Sequence, residues 1–335
     1  MEFLTRDVLV LSFAALMGIA IMAYVILDGY DLGVGVLLPQ AKGHDRDQMI
    51  HTIAPFWDAN ETWLVLGGGI LLVAFPIAHG IILNATYLAV LIMLIGLILR
   101  GVSFELRVKA PAHRLELWNQ MFAIGSATAG LAQGFMLGHF VVAFRDDWAS
   151  LLFAALVAPC VLSAYTLMGA SWLVLKTEGD LQHRAARWGR HALWLTALGI
   201  VLVSLATPIV SPRIFARWFS LDRIVIMSPI PLLVTWAVIW LSRWFYQFDA
   251  DEHDHRAWIP FTLTIGLFLL SGLGLAYSTF PYVVIDQLTI WDAAASTPTL
   301  KMILLGVVIV LPPIIVYSAF SYRIFKGKST HLSEA

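Results

Sequence analysis

Charge is scarce in this chain, and cysteine is scarcer. Of 335 residues, 13% are Asp, Glu, Lys or Arg, and there is a single cysteine, Cys160. A soluble domain carries about 25% charged residues and about 45–50% apolar ones. Here the apolar types reach 59% and the mean hydropathy is +0.81. So few charges cannot clothe a water-exposed surface, so lipid must be the main solvent. One cysteine excludes an internal disulfide and any cysteine-held metal or iron–sulfur centre. Cys160 follows Pro159 in an apolar run and reads as a small buried hydrophobe. There is no basic block of the kind nucleic acids require, and the net charge of −1 singles out no partner. A cleavable leader pattern is also missing. Met1–Asp7 is short and mixed in charge, and Val8–Leu27 has no small-residue cleavage site behind it, so that run is expected to be a membrane helix.

What the chain does have is a series of apolar runs long enough to span a bilayer, roughly 20 residues each. Nine are expected, at about 8–37, 56–75, 79–100, 118–143, 149–175, 189–207, 224–246, 257–278 and 301–322. The second is interrupted at its start by Asp58, Asn60 and Glu61. Runs two and three are separated only by Pro76, Ile77 and Ala78, which predicts a tight antiparallel hairpin of forced neighbours. No connection is long enough to hold a soluble domain. The expectation is one all-α polytopic membrane domain over residues 1–335.

Sidedness follows from Lys and Arg bias. With loops assigned alternately, 15 of the 21 basic residues fall on one side, from Lys42 and Arg46 to Arg323, Lys326 and Lys328. The other side holds six: Arg6, Arg145, Arg213, Arg217, Arg223 and Lys301. The N-terminus is therefore expected outside and the C-terminus in the cytoplasm. The acidic run Asp249–His255 reads as a solvated loop, with a divalent-metal site as the alternative.

Ionisable groups inside a span cost roughly 2.5–3.5 kcal/mol on insertion scales, so their positions carry information. The first run ends in Leu27-Asp28-Gly29-Tyr30-Asp31-Leu32-Gly33-Val34-Gly35, with Asp28 near the cytoplasmic limit of the hydrocarbon. Asp28 and Asp31 share a face if the segment stays helical. Its glycines permit close helix contact or local unwinding. They do not form a nucleotide loop, because the third glycine, the lysine and the strand context are missing. The second constellation is Ile53-Ala54-Pro55-Phe56-Trp57-Asp58-Ala59-Asn60-Glu61-Thr62-Trp63. Residues 49–56 are expected to pack against or dip into the membrane, with a kink at Pro55. The third is Arg100-Gly101-Val102-Ser103-Phe104-Glu105-Leu106-Arg107-Val108-Lys109, in which Glu105 and Lys109 have the i, i+4 spacing of an ion pair. Arg107 reads as part of a snorkelling basic cluster. The topology brings all three groups to one cytoplasmic depth, as in a proton relay or ion-uptake mouth; a static salt-bridge network is the alternative.

Haem needs axial ligands inside the bundle. Most of the ten histidines fall in loops or at helix ends, and the methionines show no pairing. His79 and His139 are the remaining ligand pair to consider. The chain does not read as a self-sufficient haem carrier.

Taken in order, these motifs, with Phe280-Pro281-Tyr282-Val283-Val284 and Leu288-Thr289-Ile290-Trp291-Asp292-Ala293 before the last helix, resemble subunit II of the cytochrome bd quinol oxidases. The likeness spans the whole chain. Short loops look most like the cyanide-insensitive branch. The resemblance implies two four-helix bundles plus one peripheral helix. It implies a holoenzyme in the bacterial cytoplasmic membrane that oxidises quinol and reduces O₂ to water. Haems b and d (or b) would lie in a partner subunit I, with none ligated by this chain and no catalytic residue in it. It leaves room for a small accessory transmembrane subunit and for a structural quinone or lipid. It implies a proton pathway through Asp58, Glu105 and Lys109, for which Asp28, Asp31, Trp57, Asn60, Glu61 and Arg100 read from the sequence as a supporting polar cluster. The acid at 105 is often Asp in the family; Glu105 reaches one methylene further. Two other readings stay open at this stage: a stand-alone ion-coupled transporter and a haem-ligating membrane subunit.

Overall fold

The computed structural model describes residues 5–220, 224–225, 227–248, 254–325 and 327–328. The acidic residues 249–253 lie outside them, as do Arg223, Lys326 and His331.

Twelve helices order the described residues. They are α1 (Arg6–Leu37), α2 (His44–Ile53), α3 (Trp57–Ala74), α4 (Pro76–Val108), α5 (Leu115–Val141) and α6 (Trp148–Lys176). After these come α7 (Gly179–Val210), α8 (Pro212–Phe219), α9 (Pro229–Gln247), α10 (Trp258–Thr279), α11 (Ile290–Ala293) and α12 (Thr297–Ile324). Between α10 and α11, β1 (Tyr282–Val284) pairs antiparallel with β2 (Leu288–Thr289). Seven of the long helices are apolar and long enough to cross a membrane: α1, α4, α5, α6, α7, α10 and α12. The other two long helices, α3 and α9, cover the expected second and seventh spans.

Local chemistry sets the helix ends. The Thr5 hydroxyl accepts from the Val8 amide at the start of α1, and Pro76 opens α4, where its missing N–H is no loss. Asp147 caps α6; hydrogen bonds from the Ser150 hydroxyl and amide hold its carboxyl below the usual range. Pro55 sits in the turn between α2 and α3 and so separates two helices, where a kink within one was expected.

The helices form two rings. α1, α3, α4 and α5 make one four-helix bundle, and α6, α7, α9 and α10 the other; α6 lies against α1 and α5 and joins them. α12 packs on α1 and α3 from outside, leaving Met302, Leu305 and Val308 exposed. α3 packs along α1 and touches α4 more sparsely, so the hairpin through Phe75 does not make α3 and α4 close neighbours along their length. A sequence gap of one residue fixes proximity at one end only.

Two crossings depend on glycine. A Cβ at Gly33 of α1 would lie 1.9 Å from the Tyr165 carbonyl oxygen of α6, and one at Gly169 would lie 2.3 Å from the Gly33 carbonyl carbon. The glycines after Asp28 therefore serve close contact, and α1 does not unwind there. At the α4–α5 crossing, a Cβ on Gly125 would lie 2.7 Å from the Arg100 backbone nitrogen. This approach presses Arg100 into the bundle.

The two ends of the molecule differ. At one end the β-hairpin and α11 bury Val283, Val284, Ile290 and Ala293 against Leu9, Phe13, Ile70 and Phe75. At the opposite end, α2 places Met49, Ile50 and Ile53, with Phe56, in the main core. This matches the expectation that residues 49–56 pack against the bundle.

A buried carboxylate–guanidinium cluster as the candidate functional site

α1 carries Tyr24, Asp28 and Asp31 at i, i+4 and i+7, which places them on one face one and two turns apart. That face points into the bundle; Asp28 and Asp31 are fully buried. Arg100 of α4 meets them with a guanidinium that is 1% exposed. Its Nη1 stands 2.6 Å from Asp28 Oδ1, and its Nη2 donates to Glu61 Oε2 of α3 at 3.2 Å. Glu61 is the group at the rim, with 28% of its side chain exposed.

Asn60, one residue earlier on α3, turns inward. Its Nδ2 donates to Asp31 Oδ2 and the Tyr30 hydroxyl at 2.8 Å each, and to the Leu27 carbonyl at 3.2 Å. The Tyr322 hydroxyl of α12 donates to Asn60 Oδ1 at 3.0 Å and stands 2.6 Å from the Tyr30 hydroxyl. Tyr30 also stacks on Trp172 of α6, with ring centroids 4.1 Å apart. On the other flank, Gln133 of α5 donates to the Tyr24 hydroxyl at 2.7 Å and accepts from the Tyr165 hydroxyl at 2.8 Å.

The result is a polar chain through an apolar interior, in which one guanidinium faces three carboxyl groups. Among the described residues, Asp28 Oδ2 and Asp31 Oδ1 are buried with no hydrogen-bond partner. Buried polar atoms are normally satisfied, so open acceptor positions beside a fixed cation mark a place where a proton can be taken up or passed on.

Of the residues singled out from the sequence, the structure gathers Asp28, Asp31, Asn60, Glu61 and Arg100 into this cluster. Trp57 packs beside α4 instead, its ring 4.9 Å from that of Phe104 and close to Gly101. Asp58, Glu105 and Lys109 stand apart. All three are exposed, and none has an ion-pair partner among the described residues. The i, i+4 ion pair expected of Glu105 and Lys109 is not formed among the described residues; Lys109 is the cap residue of α4, which ends at Val108. Gly101, Glu105 and Lys109 do form a stripe at four-residue spacing that begins against the Trp57 ring, the neighbour of Asp58. Arg107 is more than a snorkelling cation: it donates to Asn119 at 2.7 Å and pairs with Asp47 of α2. Arg46 pairs with Glu116, and Arg184 with Asp45, so α2 is pinned by its charged residues.

Sequence reasoning missed Tyr24, Gln133, Tyr165 and Tyr322. Gln133, a polar amide in mid-span, was the available signal. Among the described residues no group of three or more His, Cys, Asp or Glu side chains could hold a metal ion. His139 is buried between Phe135 and Phe144, with Nε2 3.6 Å from Asp146. No hydrogen bond or ring contact joins it to His79 among the described residues.

A polytopic α-helical membrane protein with two four-helix bundles and a carboxylate–guanidinium cluster at one end is the class this geometry defines. Residues 9–325 match the family described as cytochrome bd terminal oxidase subunit II, and the chain belongs to that family. It is 28% identical to "Cytochrome bd ubiquinol oxidase subunit 2" of Bacillus subtilis, over 94% of this chain and 95% of that one. It is 27% identical to "Cytochrome bd-I ubiquinol oxidase subunit 2" of Escherichia coli K12, over 94% and 93%. The fold matches a chain of the bd oxidase of Geobacillus thermodenitrificans with a TM-score of 0.76 at 14% identity, covering 95% of this chain and 98% of that one. The chain is thus a subunit of a terminal quinol oxidase, an oxidoreductase complex with a partner subunit I and haem cofactors in the holoenzyme. Membership sets aside the stand-alone transporter reading.

Proposed function

We propose that the chain is the haem-free subunit of its oxidase, a single polytopic domain that supports the haem-bearing subunit I and admits protons from the cytoplasm. The observation that carries this reading is the cluster itself: three carboxyls around Arg100 at one end, with Glu61 reaching its rim. In this reading all nine long helices span the bacterial cytoplasmic membrane, with the N-terminus outside. The cluster end then faces the cytoplasm, which agrees with the basic side chains of α2, α4 and α7 gathered there. Quinol donates electrons in the partner, haems b and d (or b) carry them to O₂, and each O₂ reduced to water consumes four protons. Those protons need a path from the cytoplasm.

Asp58, Glu105 and Lys109 form the exposed collecting stripe of that path. Glu61, one helical turn beyond Asp58, receives the proton and is held by Arg100. Asp28 and Asp31 take it inward, while Asn60, Tyr30 and Tyr322 orient Asp31, and Trp57 shields the mouth. Membership of the cyanide-insensitive branch, a small accessory subunit, and a structural quinone between the helices belong to the same proposal. Asp58→Asn in the assembled oxidase is expected to lower O₂-reducing turnover or to prevent haem assembly in the partner. Wild-type turnover with intact haems would remove Asp58 from the path.

A further inference from the structure

The cluster leaves the second bundle unused, and there a separate site lies between α9 and α10. A cleft of about 460 Å³ is lined by Trp236, Trp240, Arg243, Trp244, Arg256 and Ile259, among others. Three observations define what it can hold. Arg243 of α9 and Arg256, just before α10, are exposed cations from two different elements, and neither has an ion pair or hydrogen bond among the described residues. Trp244 is only 8% exposed, and its Nε1–H is buried with no acceptor among the described residues. Arg243, Arg256 and the Trp244 indole thus bring three donor groups to the cleft, beside the Gln247 amide.

The third observation is polarity along the cleft. Trp236, Trp240, Arg243 and Gln247 recur at three- and four-residue spacing on one face of α9. The donors lie toward the C-terminal end of α9. One and two turns deeper, Trp236 and Trp240 form an apolar wall, their rings edge to face at 4.7 Å. A ligand that fits must present a negative acceptor group at one end and hydrocarbon at the other. Guanidinium groups match phosphate oxygens, and indole faces suit acyl chains at the membrane interface.

We propose that this cleft binds an acidic phospholipid, its phosphate held by Arg243, Arg256 and the Trp244 indole N–H and its acyl chains lying along Trp236 and Trp240. The net charge of the lipid matters, because a choline headgroup brings its own cation against two guanidiniums that have no ion pair among the described residues. The inference goes beyond the oxidase reading and requires only that the chain sits in a bilayer.

The test uses the whole purified oxidase, stripped of lipid in detergent and incubated with vesicles of phosphatidylglycerol or of phosphatidylcholine; native mass spectrometry then counts retained lipids. The wild-type complex is expected to keep phosphatidylglycerol in preference to phosphatidylcholine. Arg243→Gln and Arg256→Gln are each expected to lower that preference about fivefold, and the pair together about thirtyfold. Arg243→Lys with Arg256→Lys is expected to keep most of it, and Trp244→Phe to lose part. Excess inorganic phosphate is expected to leave the lipid in place. Equal retention of the two lipids by the wild type would overturn the proposal, and so would an unchanged preference in the double glutamine variant. Displacement of the lipid by inorganic phosphate, or a quinone retained in its stead, would also overturn it. If the double variant fails to assemble, the wild-type comparison alone decides.

Discussion

Replacing Arg100 by methionine tests the cluster most severely. The side chain is 1% exposed and stands 2.6 Å from Asp28, which is wholly buried. Methionine fills similar volume but leaves Asp28 without its cation, and Glu61 loses its donor. Removing one partner of a buried ion pair costs about 3–5 kcal/mol, because the remaining charge stays desolvated. At about 1.36 kcal/mol per factor of ten, that shifts a folding equilibrium by roughly two to four orders of magnitude. This is a large share of a typical stability of about 5–15 kcal/mol. Asp28→Asn is expected to cost less, about 1–3 kcal/mol, since Arg100 keeps Glu61. The double variant Asp28→Leu with Arg100→Met removes the closest pair and is expected to recover part of the loss, since an apolar pair can replace a buried ion pair at little cost while Glu61 still lacks its donor. The assay is the yield of intact complex and its unfolding midpoint in mild detergent, read by tryptophan fluorescence. A stable Arg100→Met complex, or a double variant no better than Arg100→Met alone, would refute the reasoning.

Other perturbations address separate contacts. Gly33→Val is expected to abolish assembly, since even its Cβ would fall 1.9 Å from a backbone oxygen of α6; intact complex at wild-type yield would contradict the crossing. Gln133→Leu strands two buried tyrosine hydroxyls and is expected to destabilise the complex by about 1–3 kcal/mol, measured as a lowered unfolding midpoint. Lys176 donates to the carbonyls of Phe325 and Gly327 at the end of α12. Lys176→Met is therefore expected to speed proteolysis of the C-terminal segment without altering the haem spectrum; unchanged cleavage would show that this latch is dispensable.

Much of this architecture could be read from hydropathy, within particular limits. The run expected at 8–37 is helix α1 at Arg6–Leu37, and the run expected at 56–75 is helix α3 at Trp57–Ala74. The sixth, expected at 189–207, runs from Gly179 to Val210. Hydropathy reports the stretch that lipid can touch, whereas a helix continues into polar sequence such as Gln182–Arg190 for as long as packing supports it. The same limit applies to α4, which extends past Arg100 to Val108.

The acidic half of the site was legible because a charge inside an apolar run stands out. Asp28, Asp31, Asn60, Glu61 and Arg100 were found in that way. Their partners were not, because Tyr24, Tyr165 and Tyr322 are ordinary residues of membrane helices, and their contacts join distant positions. Tyr30 and Tyr322 are 292 residues apart in sequence. Burial was also hidden: Asp58 and Glu61 are one turn apart on α3, yet only Glu61 reaches Arg100.

The most direct test of the central claim is proton uptake itself. The assembled oxidase, reconstituted in vesicles with a pH indicator on the side facing the cluster end, is compared as wild type and as Asp58→Asn with Glu61→Gln in this chain. With the haem spectrum unchanged, the account predicts that proton uptake and O₂ reduction slow together in the variant. Uptake and turnover at the wild-type rate would contradict it.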